Sequence, residues 1–141
     1  MNHALPSLAL CLLLQACVQA ASPSPSSAVA AASMRCSPQT LSRLYFGLDS
    51  PQGEVSEAVW QGFVAQEIVP RLPAGFTLLA ARGQWRGSDG VVRAEDSRVI
   101  EVVGDDDPAL RQSLAEIVGR YKLRFAQESV LVTQSPTRAC W

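Results

Sequence analysis

The first 34 residues carry no Asp, Glu, Lys or Arg, and every charged side chain lies from Arg35 onward. A chain of 141 residues with such a leader has room for one ordinary domain and not for two separate cores. The 12 Lys and Arg residues oppose 13 Asp and Glu residues, which gives a formal net charge of −1. Because a basic surplus is the usual basis for binding nucleic acid or anionic lipid, this balance disfavours both partners.

The apolar run at positions 4–14 has the length of a signal-peptide core and is shorter than the roughly 20 residues that span a bilayer as a helix. The Leu-Gln-Ala-Cys sequence that ends at Cys17 resembles a bacterial lipobox. We therefore predict a signal peptide over residues 1–20, lipidation at Cys17, and a periplasmic protein anchored to the outer membrane. The alternative is ordinary signal-peptidase cleavage after Ala20 or near Ala30, which gives a soluble periplasmic or secreted protein.

Residues 21–35 are almost entirely Ala, Ser and Pro, which supply too little apolar bulk for a core. They predict a disordered tether in front of a single domain over residues 36–141. That domain contains two cysteines, Cys36 and Cys140, one near each end. In an exported protein such a pair favours a Cys36–Cys140 disulfide, and the lack of a C-x-x-C spacing argues against a redox centre.

Four extended and two helical segments follow one another in the order βαββαβ. The second helix begins at Asp107-Pro108, an N-cap followed by proline in the first turn, and the first helix begins at the N-cap Ser56. The predicted strands are 41–48, 76–86, 91–103 and 129–133, with a turn at Ser88-Asp89-Gly90 and a bulge or break at 94–97. The predicted buried helix positions are Val59, Trp60, Phe63, Val64 and Ile68, then Leu110, Leu114, Ile117, Val118, Tyr121 and Phe125.

This order of elements is typical of the ferredoxin-like split βαβ fold. In that α+β two-layer sandwich, two helices cover one face of a four-stranded antiparallel sheet. The other face stays open, and we expect a second copy of the chain or another envelope protein to cover it. The fold itself does not define a function, because it carries enzymes and binding modules alike.

Histidine-dependent chemistry has little support in this sequence. The one histidine, His3, lies in the leader, so zinc or iron sites and Ser-His-Asp catalysis lack a necessary residue type. The acidic run at residues 105–107 is better explained by helix capping than by calcium binding. We therefore predict no metal site and no cofactor.

Two clusters of polar residues remain as candidates for ligand binding. Alternation along the second strand places Arg82, Gln84 and Arg86 on one face, where two guanidinium groups can bind a carboxylate or phosphate. The alternative is a solvated strand face whose arginines pair with acidic neighbours such as Glu95 or Glu101. The second cluster lies where the second helix passes into the last strand. The candidate ligand-binding residues, which we expect on the open face and at this junction, are Tyr45, Arg82, Gln84, Arg86, Gln127 and Glu128.

Three segments carry a family resemblance: YFGL at 45–48, GQWRG at 83–87 and YKxRFxQESVL at 121–131, where x is any residue. Together they resemble a family of exported bacterial proteins catalogued as domain of unknown function 3574, over residues 41–132. The resemblance implies no established activity, substrate or cofactor. The sequence thus predicts a small binding or interaction module of the cell envelope, and the alternative is a cofactor-independent enzyme that acts on an anionic small molecule.

Overall fold

The structure, a computed structural model, describes Met1 and residues 34–141. The predicted signal peptide, the lipidation site Cys17 and nearly all of the tether lie outside the described residues. Within the described part of the chain, no helix is long and apolar enough to cross a membrane.

The described elements follow the predicted βαββαβ order. They are β1 (Cys36–Gly47), α1 (Glu57–Phe63) with a π-helical continuation (Val64–Ile68), β2 (Thr77–Arg86), β3 (Val92–Gly104), α2 (Pro108–Phe125) and β4 (Leu131–Cys140). The four strands form one sheet in the order β2-β3-β1-β4, and every neighbouring pair is antiparallel. The predicted ferredoxin-like α+β sandwich is confirmed.

An aromatic core joins the helices to one face of the sheet. Phe46 of β1 is fully buried, and its ring centroid lies 4.8 Å from that of Tyr121 in an edge-on arrangement. Trp60 and Phe63 of α1 pack against the same two rings. The predicted helix periodicity is confirmed except at Val59, which is 41% exposed, and Leu110 and Val118 are only partly buried. Val59 lies at the margin of the buried face of α1, about 100° around the helix axis from Trp60.

The first and last strands are longer than predicted because they pair along their whole lengths. The register matches Cys36 with Cys140, and the two form a disulfide that spans 104 residues of sequence. The predicted disulfide is confirmed. The extra residues of β4 escape a sequence pattern because β4 is an exposed edge strand, where even Pro136 is tolerated.

The predicted bulge at 94–97 is wrong. The pairing of β2 with β3 runs without a break from Thr77 opposite Glu101 to Arg86 opposite Val92. The polar residues of this stretch have partners that keep them in regular strand geometry. Asp96 lies opposite and near Arg82, and Glu95 accepts a hydrogen bond from the backbone of Asp49.

Candidate functional site

A pocket of about 200 Å³ lies where the β2–β3 hairpin extends past the end of β1 and meets the α2–β4 connection. Its lining residues are Tyr45, Gly47, Gly83, Gln84, Trp85, Glu95, Ser97, Gln127, Glu128, Ser129 and Leu131. A second pocket of about 470 Å³ adjoins it and shares Trp85, Gln127 and Glu128 with it. The site therefore consists of two neighbouring cavities with a common wall.

The end of α2 places the junction residues in this wall. Ala126 has a left-handed backbone conformation, with φ of 50°, and its N–H donates to the Lys122 carbonyl. This conformation ends the helix and turns the chain toward β4. The Gln127 side-chain amide then donates to the Asp49 carbonyl, which ties the junction to the loop after β1.

The tip of the β2–β3 hairpin holds Glu128 in place. The backbone N–H and the hydroxyl of Ser88 donate to the two carboxylate oxygens of Glu128 at 3.1 and 3.0 Å. Gly90 closes the turn with φ of 80°, and Arg93 is bound by Asp89 within the same hairpin. The hairpin thus reaches across the end of the sheet and closes one side of the pocket.

Glu95 fills the space that Gly47 leaves open. A Cβ atom at Gly47 would lie 2.6 Å from the carboxyl carbon of Glu95, so no larger residue fits without moving that carboxylate. The Asp49 backbone N–H donates to Glu95 Oε2 at 3.1 Å. Burial raises the pKa of Glu95, while this hydrogen bond opposes the rise. The pocket therefore contains a carboxylate that binds a proton more readily than an exposed glutamate.

Trp85 contributes an aromatic wall and an unused donor. Its indole Nε1 is buried and has no hydrogen-bond partner among the described residues. The indole N–H is near the Glu95 carboxyl and lowers its pKa against the effect of burial, but it makes no hydrogen bond of ordinary geometry with that carboxyl. A buried donor without an acceptor is costly, so a ligand that supplies an acceptor here would gain free energy of binding.

Tyr121 connects the pocket to the core. Its hydroxyl donates to the Gly47 carbonyl at 2.6 Å. Gly47 is also the residue against which the Glu95 carboxylate packs. Burial raises the pKa of this phenol, and the nearby Glu95 carboxylate adds to the rise. The phenol therefore stays protonated and acts as a fixed donor that holds the end of β1.

Four of the six candidate ligand-binding residues line this pocket, namely Tyr45, Gln84, Gln127 and Glu128. Their binding of a ligand stays a prediction. Arg82 and Arg86 are not among the lining residues. Arg82 lies 3.7 Å from Asp96, and Arg86 donates to the Gly90 carbonyl at 2.6 Å.

The predicted placement of these arginines on the open face is wrong. Val99 lies opposite both Tyr45 of β1 and Leu79 of β2, so these three residues share the open face. Alternation along β2 then puts Gly83 and Trp85 on that face and Arg82 on the other. Glu101, expected as a partner for the arginines, pairs with Arg43 instead.

Sequence reasoning missed the roles of Glu95, Trp85 and Gly47. The sequence suggests Glu95 only as an acidic neighbour of the arginines, and this residue lies in the stretch where a bulge is predicted. Trp85 and Gly47 belong to two of the three segments that carry the family resemblance, which was the available signal for them. Among residues 34–141, no group of three or more His, Cys, Asp or Glu side chains is arranged to hold a metal ion.

Comparison with known proteins gives one family and several similar structures. The family model described as "Protein of unknown function (DUF3574)" matches residues 41–141. A search of curated proteins finds no significant match. A phage SAM lyase in complex with S-methyl-5′-thioadenosine is 19% identical with a TM-score of 0.57, covering 73% of this chain and 88% of that one. A phage SAM lyase in the apo state is 15% identical with a TM-score of 0.51, covering 72% and 87%. At these identities the similarity concerns the fold alone.

Proposed function

This chain belongs to the DUF3574 family, and from that premise we propose that its domain binds a small organic cation in the pocket beside Glu95. The composition of the lining carries the proposal. It combines the carboxylates of Glu95 and Glu128 with the aromatic rings of Tyr45 and Trp85, and it includes no Lys or Arg. Carboxylates with aromatic faces are the groups that attract ammonium and sulfonium ions.

The surrounding charges support a cationic ligand. Arg93 lines the neighbouring cavity, but its guanidinium group is bound by Asp89. Glu128 is held by Ser88, which donates to both of its carboxylate oxygens and carries no charge. A cation over the Trp85 ring would gain about 0.5–2 kcal/mol from the ring alone.

The structure gives an anionic ligand less support than the sequence did. That prediction rested on Arg82 and Arg86, which lie outside both cavities described above. Two carboxylates at the lining would repel an anion instead. We therefore replace the anionic ligand by a cationic one.

The structural neighbours favour a sulfonium as the class of cation. A SAM lyase is by name an enzyme for S-adenosylmethionine, which is a sulfonium cation, and one neighbouring structure holds S-methyl-5′-thioadenosine. In this chain the cavities of about 200 and 470 Å³ lie side by side. The charged centre of a ligand could therefore occupy one cavity and an attached ring system the other. The buried Trp85 N–H offers a donor to such a ring system.

Isothermal titration calorimetry on the purified protein, with its disulfide intact, tests this proposal. The probes are S-adenosylmethionine, a quaternary ammonium such as choline, and a dicarboxylate of similar size. We expect the cations to bind and the dicarboxylate to fail. Glu95→Gln should weaken cation binding at least about tenfold, since it removes the half-buried negative charge. Glu116→Gln, which removes one exposed carboxylate on α2, is the matched control and should bind normally.

Two outcomes would contradict a cation site. One is binding of the dicarboxylate with an affinity equal to that of the cations. The other is failure of every cation to bind to folded protein. A pH series sharpens the result, because the charge of a quaternary ammonium does not titrate. Its affinity should fall as the pH is lowered through the raised pKa of Glu95.

Cleavage of the bound cation is a second candidate function. The observation that favours it is the raised pKa of Glu95, since a carboxylate of increased basicity inside a pocket is suited to proton transfer. Chromatography of S-adenosylmethionine incubated with the protein tests it. Release of a thioether by the wild-type protein but not by Glu95→Gln would support catalysis. Binding without turnover would instead show that the domain binds the cation and does not cleave it.

We also propose that the protein works outside the cytoplasm. The Cys36–Cys140 disulfide supports this location, because such bonds persist in oxidising compartments. Mass spectrometry of the mature protein tests the lipid anchor at Cys17. A diacylated N-terminal Cys17 is expected, and an unmodified terminus beyond that residue would exclude the lipoprotein.

A further inference from the structure

The face of the sheet opposite the helices carries an exposed apolar surface, which we call the open-face patch. Leu79, Val103 and Leu131 are 43%, 50% and 59% exposed there. Leu41 and Tyr45 are half-buried members of the patch, and Val99 lies buried between them and Leu79. The Arg43–Glu101 ion pair lies in the middle of it. A contiguous apolar area around a single ion pair is typical of a protein interaction surface.

The strand register arranges this face in rows that run across the sheet. One row is Leu79, Val99, Tyr45 and Leu131, from β2 to β4. The next is Thr77, Glu101, Arg43 and Thr133. A third, on the far side of the charged row, is Val103, Leu41 and Ser135. Across the line between the central strands β3 and β1, Leu79 corresponds to Leu131, Thr77 to Thr133, and Val103 to Leu41. The same line relates the apolar Val99 to Tyr45 and the anion Glu101 to the cation Arg43, while Ser135 has no counterpart on β2.

We propose that a second copy of this chain covers the open-face patch, about a twofold axis that runs between β1 and β3 and parallel to them. This rotation exchanges β1 with β3 and β2 with β4. It places Arg43 of each copy against Glu101 of the other. It also places Leu79 against Leu131, so that apolar groups meet apolar groups and opposite charges meet.

The symmetry is the argument for a second copy in preference to an unrelated partner. A twofold interface requires that a surface be complementary to itself, and the register meets that requirement in the first two rows and at Val103 and Leu41 of the third. The strands of the two copies would run nearly aligned, as in the usual packing of two sheets face to face. The inference does not depend on the cation proposal. Tyr45 and Leu131 nevertheless line the pocket as well, so the second copy would lie beside its mouth.

Sedimentation velocity over a range of concentrations tests the dimer. The wild-type protein should sediment as a dimer, and Leu79→Glu should sediment as a monomer because it places a carboxylate against Leu131 of the second copy. Leu79 is already partly exposed on an edge strand, so the variant should keep its fold. Leu123→Glu is the matched control. Leu123 is 87% exposed on α2, away from the open face, and its replacement should leave the dimer intact.

A charge-reversal experiment separates the interface from effects within one chain. Arg43→Glu gives a chain with two acidic groups in the charged row, and Glu101→Arg gives a chain with two basic groups. Each variant alone should be monomeric. An equimolar mixture should form heterodimers, detected by native mass spectrometry, because every opposed pair is again of opposite sign. A wild-type monomer at all soluble concentrations, or a mixture that does not associate, would overturn the proposal.

Discussion

The two ends of the sheet are held together in different ways. At one end, Cys36 and Cys140 join β1 to β4 covalently, next to the continuous pairing of those strands. At the other end, β1 stops at Gly47 while the β2–β3 hairpin continues, and hydrogen bonds from the Ser88 backbone N–H and hydroxyl to Glu128 bridge the gap. The first end is held by a disulfide and by continuous strand pairing, and the second by exposed polar contacts.

This difference separates stability from function. Continuous strand pairing and the disulfide support a stabilising role for the first end. The hairpin end leaves two cavities where the strand pairing stops. Contacts of low individual free energy can open locally, which would admit the proposed ligand without unfolding the domain. Changes at the first end should therefore alter the free energy of unfolding, and changes at the second should alter binding.

Removal of the disulfide should have the largest effect. The double variant Cys36→Ser, Cys140→Ser releases a loop of 104 residues. The chain-entropy estimate for such a loop is about 4.7 kcal/mol lost from the free energy of unfolding, as an upper value. Urea unfolding followed by circular dichroism measures it. A loss below about 1 kcal/mol would show that strand pairing alone holds this end.

Gly47→Ala should affect both stability and the pocket. The added methyl group collides with the Glu95 carboxylate, and such overpacking costs about 1–3 kcal/mol. Cation binding should weaken as well, because Glu95 must move. Gly62→Ala is the matched control, since a Cβ at Gly62 in α1 meets nothing within 4 Å. It should stabilise the protein by about 0.5–1 kcal/mol, and equal destabilisation by both variants would contradict the close approach of Glu95 to Gly47.

Tyr121→Phe should destabilise the protein by about 1–2 kcal/mol. It keeps the ring in the aromatic core but leaves the Gly47 carbonyl without the hydroxyl donor. Thermal unfolding of the variant measures the loss. A change in near-ultraviolet circular dichroism would show that the ring itself had moved, and an unchanged melting temperature would contradict a structural role for the hydroxyl.

The helix-covered face of the sheet was largely predictable from the sequence, and the pocket was not. The alternation of Leu44 and Phe46 and the spacing of apolar residues in α2 follow from burial, which acts on each element separately. The position of Arg82 depends on which residue of β3 lies opposite it, and a shift of one residue would reverse its face. The pocket depends further on how far the hairpin extends past Gly47. Neither the register between β2 and β3 nor the extension of the hairpin can be read from the sequence pattern of a single strand.

Glu95→Gln should mainly change how the free energy of unfolding depends on pH, and should change its value at low pH much less. Burial raises the pKa of Glu95 above its ordinary value of 4.5, so the folded state holds this proton more tightly than the unfolded chain does. The stabilising contribution is therefore present below that value and is lost as the pH rises through the folded pKa. The variant should gain stability relative to the wild type as the pH rises above 4.5 toward the raised pKa of folded Glu95. Chemical unfolding of both proteins across that range measures the difference, and parallel curves would contradict burial of this carboxylate.

Ser88→Ala should have the smallest effect on global stability and the clearest local one. It removes the hydroxyl bond to Glu128 Oε1 but keeps the backbone N–H bond to Oε2. Since both groups are exposed, the free energy of unfolding should fall by less than about 1 kcal/mol. Hydrogen exchange should nevertheless become faster at the hairpin tip and at the α2–β4 connection, while β1 and β4 near the disulfide keep their protection. Equal acceleration at both ends would show that the domain opens as one unit, and the distinction between a clamped end and a binding end would then be wrong.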